Sequence, residues 1–188
     1  TLGLFFNQGP VRSPADMRGM RVRHNGVVAA QMVEAWGAAP AAIPPAEISD
    51  ALAKGTIGGM VFNYEAARSF QMAGSLKSVI PLNSAAGTFA LVMNAEKYKS
   101  LPADLQKLID DTTGAAMARQ AGKIFDAAEA DGQKYLEAAK VEIVTLTPAE
   151  RAAFEELLKP IIATTLSKAS PTAKAFYDQV RAKVESAK

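Results

Sequence analysis

The chain has 188 residues, of which 49% are hydrophobic and 21% are charged, and its formal net charge is +2. This composition supports a buried core and excludes a disordered chain, while the near-neutral balance gives no strong field toward nucleic acid or an anionic membrane surface. The absence of cysteine excludes disulfides, thiol nucleophiles and zinc–thiolate sites. No apolar run approaches the roughly 20 residues that cross a bilayer.

The first residues form an apolar, strand-like stretch without the basic start of a secretion signal. Because a strand edge needs a pairing partner, we interpret the beginning at Thr1 as a cut or processed end. Residues 13–16, Ser-Pro-Ala-Asp, then predict a short helix with a capping hydroxyl, a proline in its first position and an acid in its first turn. Gly19 ends this helix.

Strand and helix patterns alternate from Met20 onward. The patterns predict strands over residues 20–23, 41–43 and 59–62, separated by helices over residues 27–36 and 47–54. This β-α-β-α-β order is typical of a small doubly wound α/β lobe with a mostly parallel sheet.

Beyond Gly87 the sequence becomes rich in alanine and charge. One more strand is predicted over residues 88–93. A helical stripe then runs from residue 102 to about residue 139, where glycines 114, 122 and 132 kink or split the helix. A short strand over residues 141–146, a capping box over residues 147–150 and two further helices separated near residue 170 complete the prediction.

The candidate binding residues follow the predicted strands. In open α/β sheets the ligand lies beyond the carboxyl ends of the strands, and this rule selects residues 23–25, 44–45 and 62–64. The candidates among them are Arg23, His24, Pro45, Phe62 and Asn63. Arg23 is the principal candidate, because a guanidinium matches a carboxylate with two parallel hydrogen bonds; the alternative is an exposed strand charge. His24 is either a ligand contact or a surface residue, Phe62 either an apolar wall or core, and Asn63 either an amide donor or a helix cap.

No pattern in the chain indicates catalysis. The one histidine is His24, and the chain contains no nucleophile elbow, no zinc-protease motif and no close acid pair at a strand end. The glycine-rich residues 55–59 lack the Lys-Ser/Thr of a phosphate loop and lead into a strand, which favours a turn. We therefore predict a protein that is not an enzyme and that uses no metal and no cofactor.

Four segments resemble, in order and spacing, the motifs of the DctP-type solute receptors of TRAP transporters, the tripartite ATP-independent periplasmic systems. Residues 13–23 are similar to the family's S-P-x-D-L-x-G-L-K-x-R, and residues 36–40 to its G-A-x-P. Residues 47–59 resemble E-x-x-x-A-L-x-x-G-x-x-D-G, and residues 98–102 resemble Y/W-x-S-L-P. No single motif is decisive, but four in the right order are rather specific.

The resemblance implies roles for the candidate residues. In that family two α/β lobes close over a small organic acid, and the arginine that ends the first motif, here Arg23, anchors its carboxylate. A ligand-contacting asparagine that follows the D-G strand aligns by strict spacing with Phe62, and Asn63 comes one step later. An aromatic residue usual before the Glu motif aligns with Pro45, and the aspartate of D-G is Gly58 here.

The resemblance also implies an architecture and a location. We expect a periplasmic-binding-protein-like α/β fold with a hinge strand over residues 1–12, the second ligand-binding lobe over 13–87, and a return strand, a long helix and C-terminal helices over 88–188. The comparison with the family's motifs also leads us to expect that the N-terminal part of the first lobe is missing. The implied function is periplasmic capture of a small organic acid, of undetermined identity, and its delivery to TRAP membrane subunits, without binding nucleic acid.

Two alternatives and one further partner stay open at this point. The first alternative is a stand-alone ligand-sensing or interaction module that uses the same lobe, with the long helix as its docking surface. The second is a small-molecule enzyme with scattered carboxylates. A homodimer through exposed strand edges or through the long helix is a further expectation.

Overall fold

In the computed structural model, which describes residues 2–186, six strands form one sheet in the order β3-β2-β4-β1-β5-β6. The strands are β1 (Leu2–Phe6), β2 (Arg21–His24), β3 (Ala39–Ala42), β4 (Gly59–Phe62), β5 (Ser78–Ala85) and β6 (Glu142–Ile143). Strand β2 pairs in parallel with β3 and β4, and β5 pairs in parallel with β6, while β1 is antiparallel to β4 and β5. The predicted mostly parallel α/β sheet is therefore confirmed.

The helices cover both faces of this sheet. They are α1 (Val27–Ala35), α2 (Ile48–Ala53), α3 (Tyr64–Ser69), α4 (Ala95–Lys99), α5 (Ala103–Thr112), α6 (Gly114–Ala138), α7 (Pro148–Glu156), α8 (Lys159–Lys168) and α9 (Pro171–Ser186). Short 3-10 turns over Pro14–Met17, Pro45–Glu47 and Met72–Ser75 connect some of these elements. The predicted β-α-β-α-β order corresponds to β2-α1-β3-α2-β4.

Alternation along the strands divides the core into two layers. One layer lies under α1 and α7 and includes Leu4, Phe6, Val22, Trp36, Val61, Ile80 and Phe154. The other lies under α2, α3 and the end of α6 and includes Phe5, Ile48, Leu52, Met60, Phe62, Val79 and Leu136. Because successive strand residues point to opposite faces, neighbours such as Phe5 and Phe6 anchor different layers.

Strand β1 lies in the centre of the sheet rather than at an edge. It runs between β4 and β5, and Gly59 of β4 allows the close approach because a Cβ there would lie 2.8 Å from the carbonyl oxygen of Phe5. The apolar stretch that the sequence indicated is thus paired on both sides. The division at residues 12 and 87 stays a prediction, and a single sheet joins strands from all three segments.

The predicted strand over residues 88–93 is wrong within the described residues. These residues belong to no helix or strand, and the side chains of Phe89, Leu91 and Val92 are exposed. A β pattern yields a strand only where another backbone offers hydrogen bonds, and the described sheet ends at β3 and β6 instead. Strand β5, for which no prediction was made, ends at Ala85, just before this segment.

The long predicted helix is divided near Thr113 into α5 and α6. Gly114 adopts a positive φ of 73°, which ends the first helical run, while Gly122 and Gly132 stay inside α6. The predicted capping box is confirmed, since the backbone N–H of Glu150 donates to the Thr147 hydroxyl and the Thr147 N–H donates to the Glu150 carboxylate. Residues 148–186 form three helices, α7, α8 and α9, whereas the sequence predicted two.

Candidate functional site

The carboxyl ends of β2, β3 and β4 meet at one edge of the sheet. Parallel pairing aligns Arg23 with Ala41 on one side and with Met60 on the other. The side chain of Arg23 therefore lies on the layer that also holds Met60 and Phe62. This is the edge at which open α/β sheets bind ligands.

The guanidinium of Arg23 is buried, with 5% of the residue's surface exposed. Its Nε donates to the carbonyl oxygen of Ile43 at 3.1 Å, and its Nη1 donates to that of Val61 at 3.5 Å. The guanidinium carbon lies 5.2 Å from the centroid of the Phe62 ring. These contacts use Nε, Nη1 and one face of the group, and none of them involves Nη2.

Burial lowers the pKa of Arg23 below its ordinary value, because desolvation penalises the charged form. Within residues 2–186 no carboxylate lies within ion-pair distance of this guanidinium, whereas eight other ion pairs form at the surface. A buried charge without a counter-charge is costly, and carbonyl dipoles offset only part of that cost. An incoming carboxylate is the group that would complete this arrangement.

An aromatic pair borders the cation. Phe62 ends β4 and is 6% exposed, whereas Phe70, the C-terminal cap residue of α3, is 43% exposed. Their ring centroids lie 6.4 Å apart. Phe62 is therefore a core residue, and its role as an apolar wall for a ligand stays a prediction.

Asn63 contacts a residue that sequence reasoning missed. Its Nδ2 donates to Oε1 of Glu129 on α6 at 2.5 Å. The Glu129 carboxylate also accepts the backbone N–H groups of Tyr64, at 3.4 Å, and of Glu65, at 3.0 Å. Asn63 occupies the N-cap position of α3 without a side-chain cap bond, and Glu129 caps the helix instead. The partners are 66 positions apart in the sequence, so no local pattern predicts this contact.

The structure places His24 and Pro45 near the same edge but joins neither to Arg23 by a hydrogen bond. Nδ1 of His24 lies 3.1 Å from the carbonyl oxygen and 3.3 Å from the nitrogen of Gly26, a local turn. Pro45 begins the exposed 3-10 turn that leads into α2. Two cavities of about 410 and 370 Å³ lie elsewhere, one between α1 and α8 and the other at the opposite end of the sheet.

Tyr64 is a further polar residue beside this edge. Its ring packs edge-on against Phe5 at 5.4 Å, and its hydroxyl is buried without a hydrogen-bond partner. Desolvation, followed by the charges of Glu129 and Glu137, raises its pKa to about 12. The described residues contain no group of three or more side chains placed to hold a metal ion and no helix that is long and apolar enough to cross a bilayer.

The mostly parallel α/β sheet, with a buried cation at the carboxyl ends of its strands, has the fold class that the sequence predicted. The model of the family of bacterial extracellular solute-binding proteins, family 7 (DctP), matches residues 4–169. The chain belongs to this family.

Relatives of known structure share the fold. A TRAP solute-binding protein from Rhodoferax ferrireducens, solved with copurified benzoate, is 25% identical, with a TM-score of 0.78 over 88% of this chain and 53% of its own. A marine metagenome TRAP protein specific for aromatic acid ligands, from an unidentified microbe and solved with 3-hydroxybenzoate, is 29% identical, with a TM-score of 0.73 over 92% of this chain and 57% of its own.

A curated relative agrees with these structures. The C4-dicarboxylate-binding periplasmic protein DctP of Rhodobacter capsulatus is 29% identical over 158 residues, which are 81% of this chain and 46% of that protein. The chain thus spans about half the length of the relatives it matches.

Proposed function

We propose that this chain forms the ligand-binding lobe of an extracytoplasmic receptor of a TRAP transporter and captures a small organic acid by its carboxylate. The observation that carries the proposal is the buried Arg23 guanidinium at the carboxyl edge of β2, which no acidic side chain of the described residues neutralises. A ligand carboxylate supplies the missing counter-charge without any chemical step. The function is transport, not catalysis.

Binding at Arg23 is favoured by its surroundings. The two carbonyl contacts and the Phe62 ring hold the guanidinium in one orientation, so little side-chain entropy is lost when a ligand binds. Charge-assisted hydrogen bonds to a carboxylate are about twice as strong as neutral ones. Enclosure of this pair by a second lobe excludes water, strengthens the attraction and favours the closed arrangement of the receptor.

The relatives support a carboxylate ligand and a periplasmic location. Benzoate and 3-hydroxybenzoate, seen with two of them, share one carboxylate on an aromatic ring, and (R)- and (S)-mandelate were bound to a 27% identical TRAP protein of Bordetella bronchiseptica. The curated relative is a periplasmic protein named for dicarboxylates. Delivery to TRAP membrane subunits in the periplasm is part of our proposal, because these relatives are named as TRAP or periplasmic solute-binding proteins.

Association between copies is a separate part of the proposal. Residues 88–93, which belong to no helix or strand, expose Phe89, Leu91 and Val92, and the ring of Phe89 stacks on Phe125 of α6 with the centroids 5.7 Å apart. Exposed apolar side chains on a segment whose backbone pairs with no strand favour association with a second copy through this segment and α6.

The experiment that tests the carboxylate proposal measures the melting temperature of the purified chain with a panel of monocarboxylates and dicarboxylates. We expect at least one acid to raise the melting temperature, and we expect Arg23→Ala to remove that rise. Arg21→Ala is the matched control, because Arg21 lies on the same strand but is exposed and contacts the carbonyl of Thr56 at the other end. An equal rise in wild type and Arg23→Ala would refute the assigned role.

A further inference from the structure

Glu129 connects the long helix α6 to the loop that follows β4. Its carboxylate accepts three N–H donors, from the side chain of Asn63 and from the backbone of Tyr64 and Glu65. It is half-buried, and Gly132, one turn further along α6, lies directly against the backbone of Tyr64. The carboxylate is therefore held in place by both bonding and packing.

The contact with Glu129 reduces the number of polar groups near Arg23 that can bind a ligand. Of the side chains that contact Arg23 or end β4, Phe62 offers only an aromatic ring, and Asn63 is the one amide. That amide points its donor at Glu129 at 2.5 Å, a short charge-assisted contact that a ligand oxygen must displace. The edge thus offers one cation and an apolar wall, and the amide that follows β4 is already engaged.

We propose that Glu129 is a specificity-determining residue that restricts this edge to acids with a single carboxylate and an apolar body. The inference rests on the proposed function, because it assumes that Arg23 binds a carboxylate. A second carboxylate that reaches the end of β4 loses its hydration and finds the Asn63 amide bonded to a group of its own charge, the carboxylate of Glu129. An aromatic body instead packs against Phe62 and Phe70.

The test compares benzoate with succinate, using isothermal titration calorimetry of the purified chain. We expect the wild type to bind benzoate at least about tenfold more tightly than succinate. Glu129→Ala frees the Asn63 amide and removes one negative charge, so this preference is expected to fall at least about fivefold. The double variant Glu129→Ala, Asn63→Ala lacks the freed amide and is expected to recover part of the preference.

Two controls separate specificity from structure. Glu137→Ala removes another carboxylate of α6, one that bonds to Gln133 and not to the loop, and is expected to leave the preference unchanged. Glu129→Gln keeps an acceptor for Asn63 but lacks the charge. We expect it to lower the preference for benzoate over succinate, as Glu129→Ala does. It provides the test of the inference if Glu129→Ala fails to fold.

The outcomes distinguish this inference from the function on which it rests. If both affinities change by the same factor in the Glu129 variants, the residue is structural and the inference is wrong. A wild type that prefers succinate also overturns it, while leaving the carboxylate receptor intact. If the wild type binds no acid and Arg23→Ala changes nothing, the proposed function fails, and the inference fails with it.

Discussion

The guanidinium carbon of Arg23 lies 5.2 Å from the centroid of the Phe62 ring. The register explains this contact, because Arg23 is aligned with Met60 on the parallel strand β4, and Phe62 is the next residue on the same face. The ring turns its electron-rich face toward the cation and shields it from solvent. The pair therefore fixes the position of the positive charge before any ligand arrives.

We predict that Phe62→Leu weakens acid binding by about 5- to 30-fold, which corresponds to about 1–2 kcal/mol for a desolvated cation–π contact. Leucine keeps much of the apolar contact with the core but has no ring face. Phe154→Leu is the matched control, since Phe154 is also buried but lies in the other core layer, where its ring packs against Trp36. Titration calorimetry of both variants with the same acid checks the prediction, and equal affinities of Phe62→Leu and wild type would contradict it.

The sequence predicted the parts of the fold that depend on local patterns. Strand β4 is a short apolar run behind a glycine turn, and α7 begins with a complete capping box at Thr147, so both were recognisable. Residues 88–93 carry an equally good β pattern but form no strand, because pairing partners are not encoded locally. Strand propensity alone cannot determine whether another backbone is available.

In the candidate site, too, some features could be predicted from local sequence and others could not. The position of Arg23 followed from the rule that ligands bind at the carboxyl ends of parallel strands. The lack of a counter-charge for Arg23 and the hydrogen bond between Asn63 and Glu129 could not be predicted from the sequence, because both depend on the tertiary structure. The hydrogen bond depends on how α6 packs against α3. Contacts between residues this far apart are set by the tertiary structure, and no periodic pattern in the sequence predicts them.

Asp16 gives a prediction about pH. Its carboxylate accepts the backbone N–H groups of Arg12 and Ser13 at 3.0 and 2.9 Å, and these bonds hold its pKa below the ordinary value of 3.8. A carboxyl group with a lowered pKa in the folded state stabilises the fold above its unfolded pKa. That contribution is lost as the pH falls from 3.8 through the folded-state pKa.

We therefore expect Asp16→Asn to lower the free energy of unfolding by about 0.5–1 kcal/mol at neutral pH, a value reduced by the exposure of the group. The difference from wild type should shrink toward zero as the pH falls below 3.8. Urea denaturation at several pH values measures it, with Asp126→Asn on the exposed face of α6 as control. A difference that persists undiminished in acid would show that the carboxylate charge is not the cause.

Self-association gives a third prediction. If residues 88–93 pair with a second copy, Val92→Lys places a charge in the interface and should shift the chain from dimer to monomer. Val27→Lys is the matched control, because Val27 is 75% exposed and Val92 is 82% exposed, but Val27 lies on α1 at a distance in sequence. Sedimentation equilibrium checks the result, and a monomeric wild type would contradict the proposed association.

The packing of α6 against α3 gives the last prediction. A Cβ at Gly132 would lie 2.7 Å from the amide nitrogen of Glu65 and closer still to the carbonyl oxygen of Tyr64, so Gly132→Ala must push the helix away. We expect a loss of about 1–3 kcal/mol in the free energy of unfolding. Gly122→Ala, in the same helix with open space around it, should instead stabilise by up to about 1 kcal/mol. Urea denaturation of both variants measures the difference in the free energy of unfolding.

The same substitution gives a binding test, because the displaced helix also carries Glu129. We expect Gly132→Ala to change the ratio of benzoate to succinate affinity. An unchanged ratio would show that the packing of α6 at Gly132 does not influence ligand choice.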